Sequence, residues 1–237
     1  MKKENIIIVT IKEWNILNYH EIKKKFNIYN FYLITNKNDL NINNISSFNP
    51  KYIFFPHWSW IIPQEIYQTY ECIIFHMTDL PFGRGGSPLQ NLIIREIYDT
   101  KISAIKVNHT LDAGDIYLKE NFNITTGSAE EIFIKISYIV FHKMIPKFFL
   151  KKLIPQKQQG VTTIFKRRNS KDSNIYDIKN MSLNKLYDFI RMLDADTYPK
   201  AFIKIDNIKI EFFNIKRKNG KLIAECNIEE IINKKEG

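Results

Sequence analysis

Cysteine is nearly absent: Cys72 and Cys226 are the only two in 237 residues, which excludes a disulfide scaffold and a cysteine-rich zinc site. No apolar run reaches the roughly 20 residues that a membrane-spanning helix needs. The opening stretch MKKENIIIVTIKEWN is basic, yet its apolar run is too short for a signal peptide and no small-residue cleavage site follows. There is no internal repeat, no low-complexity tract and no GxxxxGK[ST] phosphate loop. The histidines, His20, His57, His76, His109 and His142, are scattered, so no metal site is expected. What these absences leave is a soluble, cytoplasmic chain.

Apolar residues make up 44% of the chain and aromatics 14%, enough to bury a sizeable core. The net charge of +10 is unevenly spread. Residues 1–150 carry 16 Lys and Arg against 14 Asp and Glu, whereas residues 151–237 carry 19 against 11. A basic C-terminal third suits an anionic partner: nucleic acid, a nucleotide-linked metabolite or a membrane surface. Solvated charge that only maintains solubility is the plainer alternative.

Apolar, β-branched runs at residues 5–10, 31–35, 51–55 and 72–76 read as strands buried on both faces. Helical patterns at 14–26, 63–70 and 88–98 alternate with them, and two more strands are expected at 102–107 and 116–124. Ser128 and Glu131 form a capping box at the start of a long amphipathic helix over 128–150. This alternation predicts an α/β domain with a Rossmann-like open, mostly parallel sheet and helices on both faces, spanning residues 1–152. Residues 36–50 read as a polar loop and 154–170 as a linker or extended arm. Residues 153–237 form a small basic domain: a helix at 183–193, then strands at 201–205, 209–215 and 222–227. Asp206-Asn207 and Asn219-Gly220 mark the hairpin turns.

Two segments carry chemistry. The first, Phe75-His76-Met77-Thr78-Asp79-Leu80-Pro81-Phe82-Gly83-Arg84-Gly85-Gly86-Ser87-Pro88, starts where a strand ends, which is where open α/β sheets bind ligands. Its glycines let backbone amides approach a ligand closely. The second, Leu111-Asp112-Ala113-Gly114-Asp115, also follows a strand. Taken singly, a histidine ending a strand is more often structural and the acidic stretch more often a turn. Together, an imidazole beside a carboxylate makes an acid–base pair suited to neutral pH.

HMTDLPFGRGGSP resembles the HxSLLPxxRGxxP signature of the folate-dependent formyltransferases, and LDAGD resembles the LDTGD that follows it in that family. Phe55-Pro56-His57-Trp58-Ser59-Trp60-Ile61-Ile62-Pro63 falls where the family has its pterin-side loop. The resemblance covers roughly residues 5–150 and implies a Rossmann-like catalytic domain, a smaller C-terminal domain and N10-formyltetrahydrofolate as formyl donor. It implies His76 and Asp112 as the catalytic pair, with Asn108 a candidate to donate to the formyl oxygen. It assigns Trp58, Trp60, Ile61 and Ile62 to the pterin side, and Thr78, Asp79, Leu80, Pro81 and Arg84 to the folate. Asn108, His109, Thr110 and Leu111 would form the loop at the pterin edge. One departure stands out: the family's asparagine two residues before the histidine is Ile74 here. That leaves Asn108, Thr78 or water to donate, or a different activity; the hydrolase domain of formyltetrahydrofolate dehydrogenase also lacks this asparagine, so its loss does not imply a dead enzyme. A short tail with Asp196-Thr197-Tyr198-Pro199-Lys200-Ala201-Phe202 resembles the branch that formylates nucleotide-linked amino sugars for surface glycans, often as homodimers. Methionyl-tRNA formyltransferase is the alternative, followed by a formyltetrahydrofolate hydrolase or a degenerate binding module.

Overall fold

The computed structural model describes residues 3–196 and 198–231; Thr197 of the tail stretch lies outside them. The chain divides into two compact units, each drawn from more than one stretch. The first comprises Met1–Gly85, Thr100–Asn123 and Ile134–Phe165; the second comprises Gly86–Asp99, Ile124–Phe133 and Lys166–Gly237. The expected boundary at 152 falls inside the last stretch of the first unit.

The first unit is built on β1 (Asn5–Val9), β2 (Asn30–Ile34), β3 (Tyr52–Phe55), β4 (Cys72–His76), β6 (Asp99–Lys106) and β7 (Ile116–Asn123), ordered β2-β1-β3-β4-β6-β7. Pairs β1–β2, β1–β3 and β3–β4 are parallel, whereas β6 runs antiparallel to β4. Side chains alternate across a strand. In β1, Ile6 and Ile8 therefore enter one core with Tyr19, Ile22, Phe141, Met144 and Phe148, while Ile7 and Val9 enter another with Ile45 and Ile66. Those partners come from α1 (Glu13–Lys25), α2 (Ile42–Phe48), α3 (Gln64–Thr69) and the helical run Ala129–Leu150, so helices cover both faces, as the apolar runs predict.

Three local expectations are revised. The polar loop 36–50 contains α2, capped by the Asn41 side chain, which accepts from Asn44 N, and closed by Asn49 in the left-handed region. Its INNISSF sequence is too polar to show a helical stripe. The helix expected over 128–150 begins with the Ser128–Glu131 capping box. It then passes from α5 (Ala129–Ile139) through a π-helical turn at Val140–Met144 to α6 (Ile145–Leu150). Finally, residues 154–170 are not a free linker: β8 (Ile164–Phe165) pairs in parallel with β5 (Arg84–Gly85).

In the second unit, β9 (Ala201–Ile205), β10 (Ile208–Lys218) and β11 (Lys221–Glu230) form an antiparallel sheet, order β11-β10-β9. Asn219 and Gly220 both have positive φ, as a two-residue hairpin turn demands. The unit also contains α4 (Pro88–Ile94) and α7 (Leu183–Arg191). Arg191 is buried at the centre: Nε donates to Asp188 at 2.6 Å, and the other guanidinium nitrogens donate to Gly127 O and Ile124 O at 3.0 Å each. One buried guanidinium thus ties two of the unit's three stretches together.

Candidate active site

His76 is the last residue of β4 and pairs across the sheet with Ser103, whereas Ile73 pairs with Lys106 at the end of β6. Because β6 is antiparallel, its carboxyl end lies at the far end of β4, not beside His76. Each motif does follow a strand, as expected, but the two strands point in opposite directions. Asp112 reaches His76 only because the loop over residues 107–115 returns along the sheet. Asn108 Oδ1 accepts from Thr110 N, Ala113 N donates to Thr110 O, and Asp112 takes a left-handed φ of 51°. Asparagine and aspartate tolerate that conformation better than most residues.

The two groups meet. His76 Nδ1 lies 3.6 Å from Asp112 Oδ2, and both side chains are buried, at 9% and 7% exposure. Asp112 Oδ2 accepts the Gly85 N–H at 2.9 Å. His76 Nε2 is 2.8 Å from Gly83 O; a carbonyl only accepts, so Nε2 carries a hydrogen here. Both ring nitrogens therefore face oxygen acceptors. The glycines make this possible. An added Cβ at Gly83 (φ 73°) would meet the Phe165 ring at 2.6 Å, and one at Gly85 (φ 102°) would meet Phe165 O at 2.5 Å.

The other expected residues are placed unequally. Thr78 is fully buried and its hydroxyl faces Gly83 O at 3.4 Å, so it does not point a donor outward. Leu80 is also fully buried and follows Thr78 into the interior, where Ser103 Oγ donates to Thr78 O. Pro81 is buried, and its carbonyl accepts from Thr163 N. Asp79 is engaged by Lys119 and, at 3.0 Å, by Lys101; burial alone would raise its pKa, but bonds from the two lysines outweigh it and lower it. Ile62 sits in the core with Ile53 and Phe55. Ile61, by contrast, is 93% exposed. Trp58 and Trp60 meet edge to face at 4.7 Å, and the buried Trp58 indole N–H has no acceptor. Asn108, His109, Thr110 and Leu111 are all exposed. The Arg84 guanidinium is bound to Gln158, a residue sequence reasoning missed. The β-branched run Val161-Thr162-Thr163-Ile164 was the available signal that this segment pairs with a strand.

Ile74 lies on the same face of β4 as His76 and packs against the core around Ile53 and Phe55. The position two residues before the histidine is therefore apolar in fact as well as in sequence. Among the described residues no three His, Cys, Asp or Glu side chains are placed to hold a metal, and no helix is long and apolar enough to cross a membrane.

Before the tryptophans, His57 takes φ 54° and packs edge to face on Trp14 at 5.9 Å. Burial, with the Lys12 ammonium a lesser cause, lowers its pKa to about 4. The unfolded chain takes up this proton near pH 6.5, so between those values it binds more protons than the folded one. Stability then falls as pH drops from 6.5 to 4, by on the order of 2 kcal/mol from this group. Urea unfolding at pH 7 and pH 4.5 should show that loss in the wild type and a smaller one in His57→Gln.

A family model described as methionyl-tRNA formyltransferase, C-terminal domain, matches residues 170–229. A methionyl-tRNA formyltransferase from Rickettsia felis is 31% identical over 134 residues, covering 54% of this chain and 44% of the relative. The chain thus spans under half the length of that curated relative. A solved structure named methionyl-tRNA formyltransferase from Clostridium thermocellum is 52% identical, with TM-score 0.92, covering 96% of this chain and 99% of its own. A 4-N formyltransferase from Francisella tularensis shares the fold at TM-score 0.68 and 14% identity, covering 94% and 96% of the two chains.

Proposed function

The chain belongs to the folate-dependent formyltransferase family, and from that premise we propose that it moves the formyl group of N10-formyltetrahydrofolate to the amine of methionyl-tRNA. The observation that carries the reading is the buried His76–Asp112 pair at 3.6 Å, brought together from the end of β4 and a loop distant from it in sequence. Names borne by the relatives support this acceptor over the amino sugar that the tail suggests, and the basic C-terminal third suits tRNA phosphates.

The residues present fit a folate. Trp58 and Trp60 offer aromatic faces, the Trp58 indole N–H is an orphaned donor, and the loop from Asn108 to Leu111 is exposed beside the acid. When bound, the folate supplies the formyl carbon; proton handling falls to the chain. The attacking amine must shed a proton, and Asp112, held by the Gly85 N–H, takes it directly or through a water and returns it to the folate nitrogen as the bond from that nitrogen to the formyl carbon breaks, releasing tetrahydrofolate. The His76 Nε2–H, which Gly83 O accepts at 2.8 Å, is the ring donor that turns to the formyl oxygen as charge develops there. Asn108 is the remaining side-chain donor: Thr110 N occupies its Oδ1, leaving Nδ2 to donate. Thr78 and Ile74 supply nothing.

A second reading, an amino-sugar acceptor, rests on Tyr198-Pro199-Lys200-Ala201-Phe202. The structure gives that stretch a packing role: Ala201 and Phe202 are buried, the Tyr198 ring lies against Phe133 at 5.4 Å, and burial raises the Tyr198 pKa. Packing of this kind serves either acceptor. The protein should be incubated with N10-formyltetrahydrofolate and, separately, methionyl-tRNA or a panel of nucleotide-linked amino sugars, with mass spectrometry of each acceptor. Formylmethionyl-tRNA is the expected product; a formylated sugar alone would overturn the acceptor, and no product in either arm would overturn the activity.

A further inference from the structure

Gln158 lies in the segment that sequence patterning assigns to a linker, and its side-chain amide is fully committed. Nε2 donates to Asp112 O and to Gly114 O, both at 2.8 Å, and Oε1 accepts from Arg84 Nε at 3.1 Å and Nη2 at 2.7 Å. The residue after Arg84 is Gly85, whose N–H holds the Asp112 carboxylate at 2.9 Å. Asp112 is thus gripped twice, at its carbonyl by Gln158 and at its carboxylate by Gly85, and Arg84 links the two grips. Only a carboxamide supplies two donors and an acceptor on one planar group; glutamate would keep Arg84 and lose both carbonyls. The segment itself is anchored without Gln158. Gln156 exchanges backbone hydrogen bonds with Ile116 at 2.7 and 2.9 Å, and Thr163 accepts from Gly83 N at 2.7 Å and Arg84 N at 3.0 Å.

We propose that Gln158, with Arg84 as its partner, is a positioning residue that fixes Asp112 against His76 and so sets kcat without touching either substrate. The assignment rests on the formyl-transfer reading above. It also gives Arg84 a different task from the folate contact that the family signature suggests.

The test uses the full chain with Gln158→Ala, Gln158→Glu and Arg84→Met. Misplacing a catalytic group by about 1 Å costs on the order of 100-fold, so both Gln158 variants should lose about 10- to 100-fold in kcat. The KM for the formyl donor should stay within about 2-fold, as expected when no ground-state contact is lost. Arg84→Met should show the same split with a smaller loss. In an Asp112→Asn background, Gln158→Ala should remove nothing further. Amide exchange of peptides covering residues 108–116 should quicken in Gln158→Ala while the rest of the chain keeps its protection. Wild-type kcat in Gln158→Ala, or a loss confined to KM in Arg84→Met, overturns the proposal. If the wild type transfers no formyl group at all, the functional reading fails instead, and the exchange measurement decides the clasp alone: unchanged protection at 108–116 refutes it and faster exchange upholds it.

Discussion

Asp112→Asn is expected to cut turnover by about 100- to 10,000-fold, the usual range for removing a positioned acid or base, while the protein melts within a few degrees of the wild type. The substitution isolates charge from shape. Asparagine fills the same volume, tolerates φ 51° and can still accept the Gly85 N–H through its amide oxygen. What disappears is the negative charge facing His76 and the capacity to take a proton. His76→Asn should lose turnover to a comparable degree, and the double variant little more than either single one, because groups acting as a unit are not additive. Steady-state rates with saturating formyl donor, beside thermal melts, decide the matter. Full turnover in Asp112→Asn would show that the carboxylate serves only to hold the loop.

How much of this was legible in the sequence depends on the range of the forces involved. Strands β1, β3 and β4 declare themselves because burial on both faces demands continuous apolar, β-branched runs such as Ile6-Ile7-Ile8-Val9. The hairpin at Asn219-Gly220 declares itself because few residue pairs accept two positive φ values. His76 and Asp112 could be named from their motifs, yet nothing local to either states that β6 runs backwards or that a loop must return along the sheet. Orientation is decided by pairing between strands distant in sequence. The fate of Arg84 was hidden for the same reason: its partner Gln158 lies in a polar stretch with no periodicity, and one carboxamide closing a ring of hydrogen bonds leaves no mark on composition. Thr78 and Leu80 show a further gap: a signature names a position, but nothing in it states that both side chains are fully buried.

Gly114→Ala is the harshest substitution expected to follow from backbone packing alone. A Cβ at residue 114 would sit 1.6 Å from Lys106 O and 2.8 Å from the Lys106 carbonyl carbon. Neither atom can step aside as a side chain would, since Lys106 belongs to β6 and its N–H donates to Asp115 O at 2.9 Å. The loop must therefore move, by well over the 1 Å that suffices to misplace a catalytic group. Asp112 is two residues away, and Gln158 holds Asp112 O and Gly114 O with one nitrogen, so a displacement at 114 reaches the carboxylate directly. Turnover should fall by about 100-fold or more, and stability by about 1–3 kcal/mol, as overpacked sites typically show. Gly220→Ala supplies the comparison. Its φ of 73° is unfavourable for alanine, a strain that Gly114 does not carry, but nothing lies within 4 Å of the added Cβ, so only the conformational penalty of about 1–2 kcal/mol remains. Melting curves and formyl-transfer rates of the two variants, measured together, separate the cost of a left-handed residue from the cost of displacing the loop that carries the acid. Equal, full activity in both would mean that Gly85 and Gln158 do not set the position of Asp112.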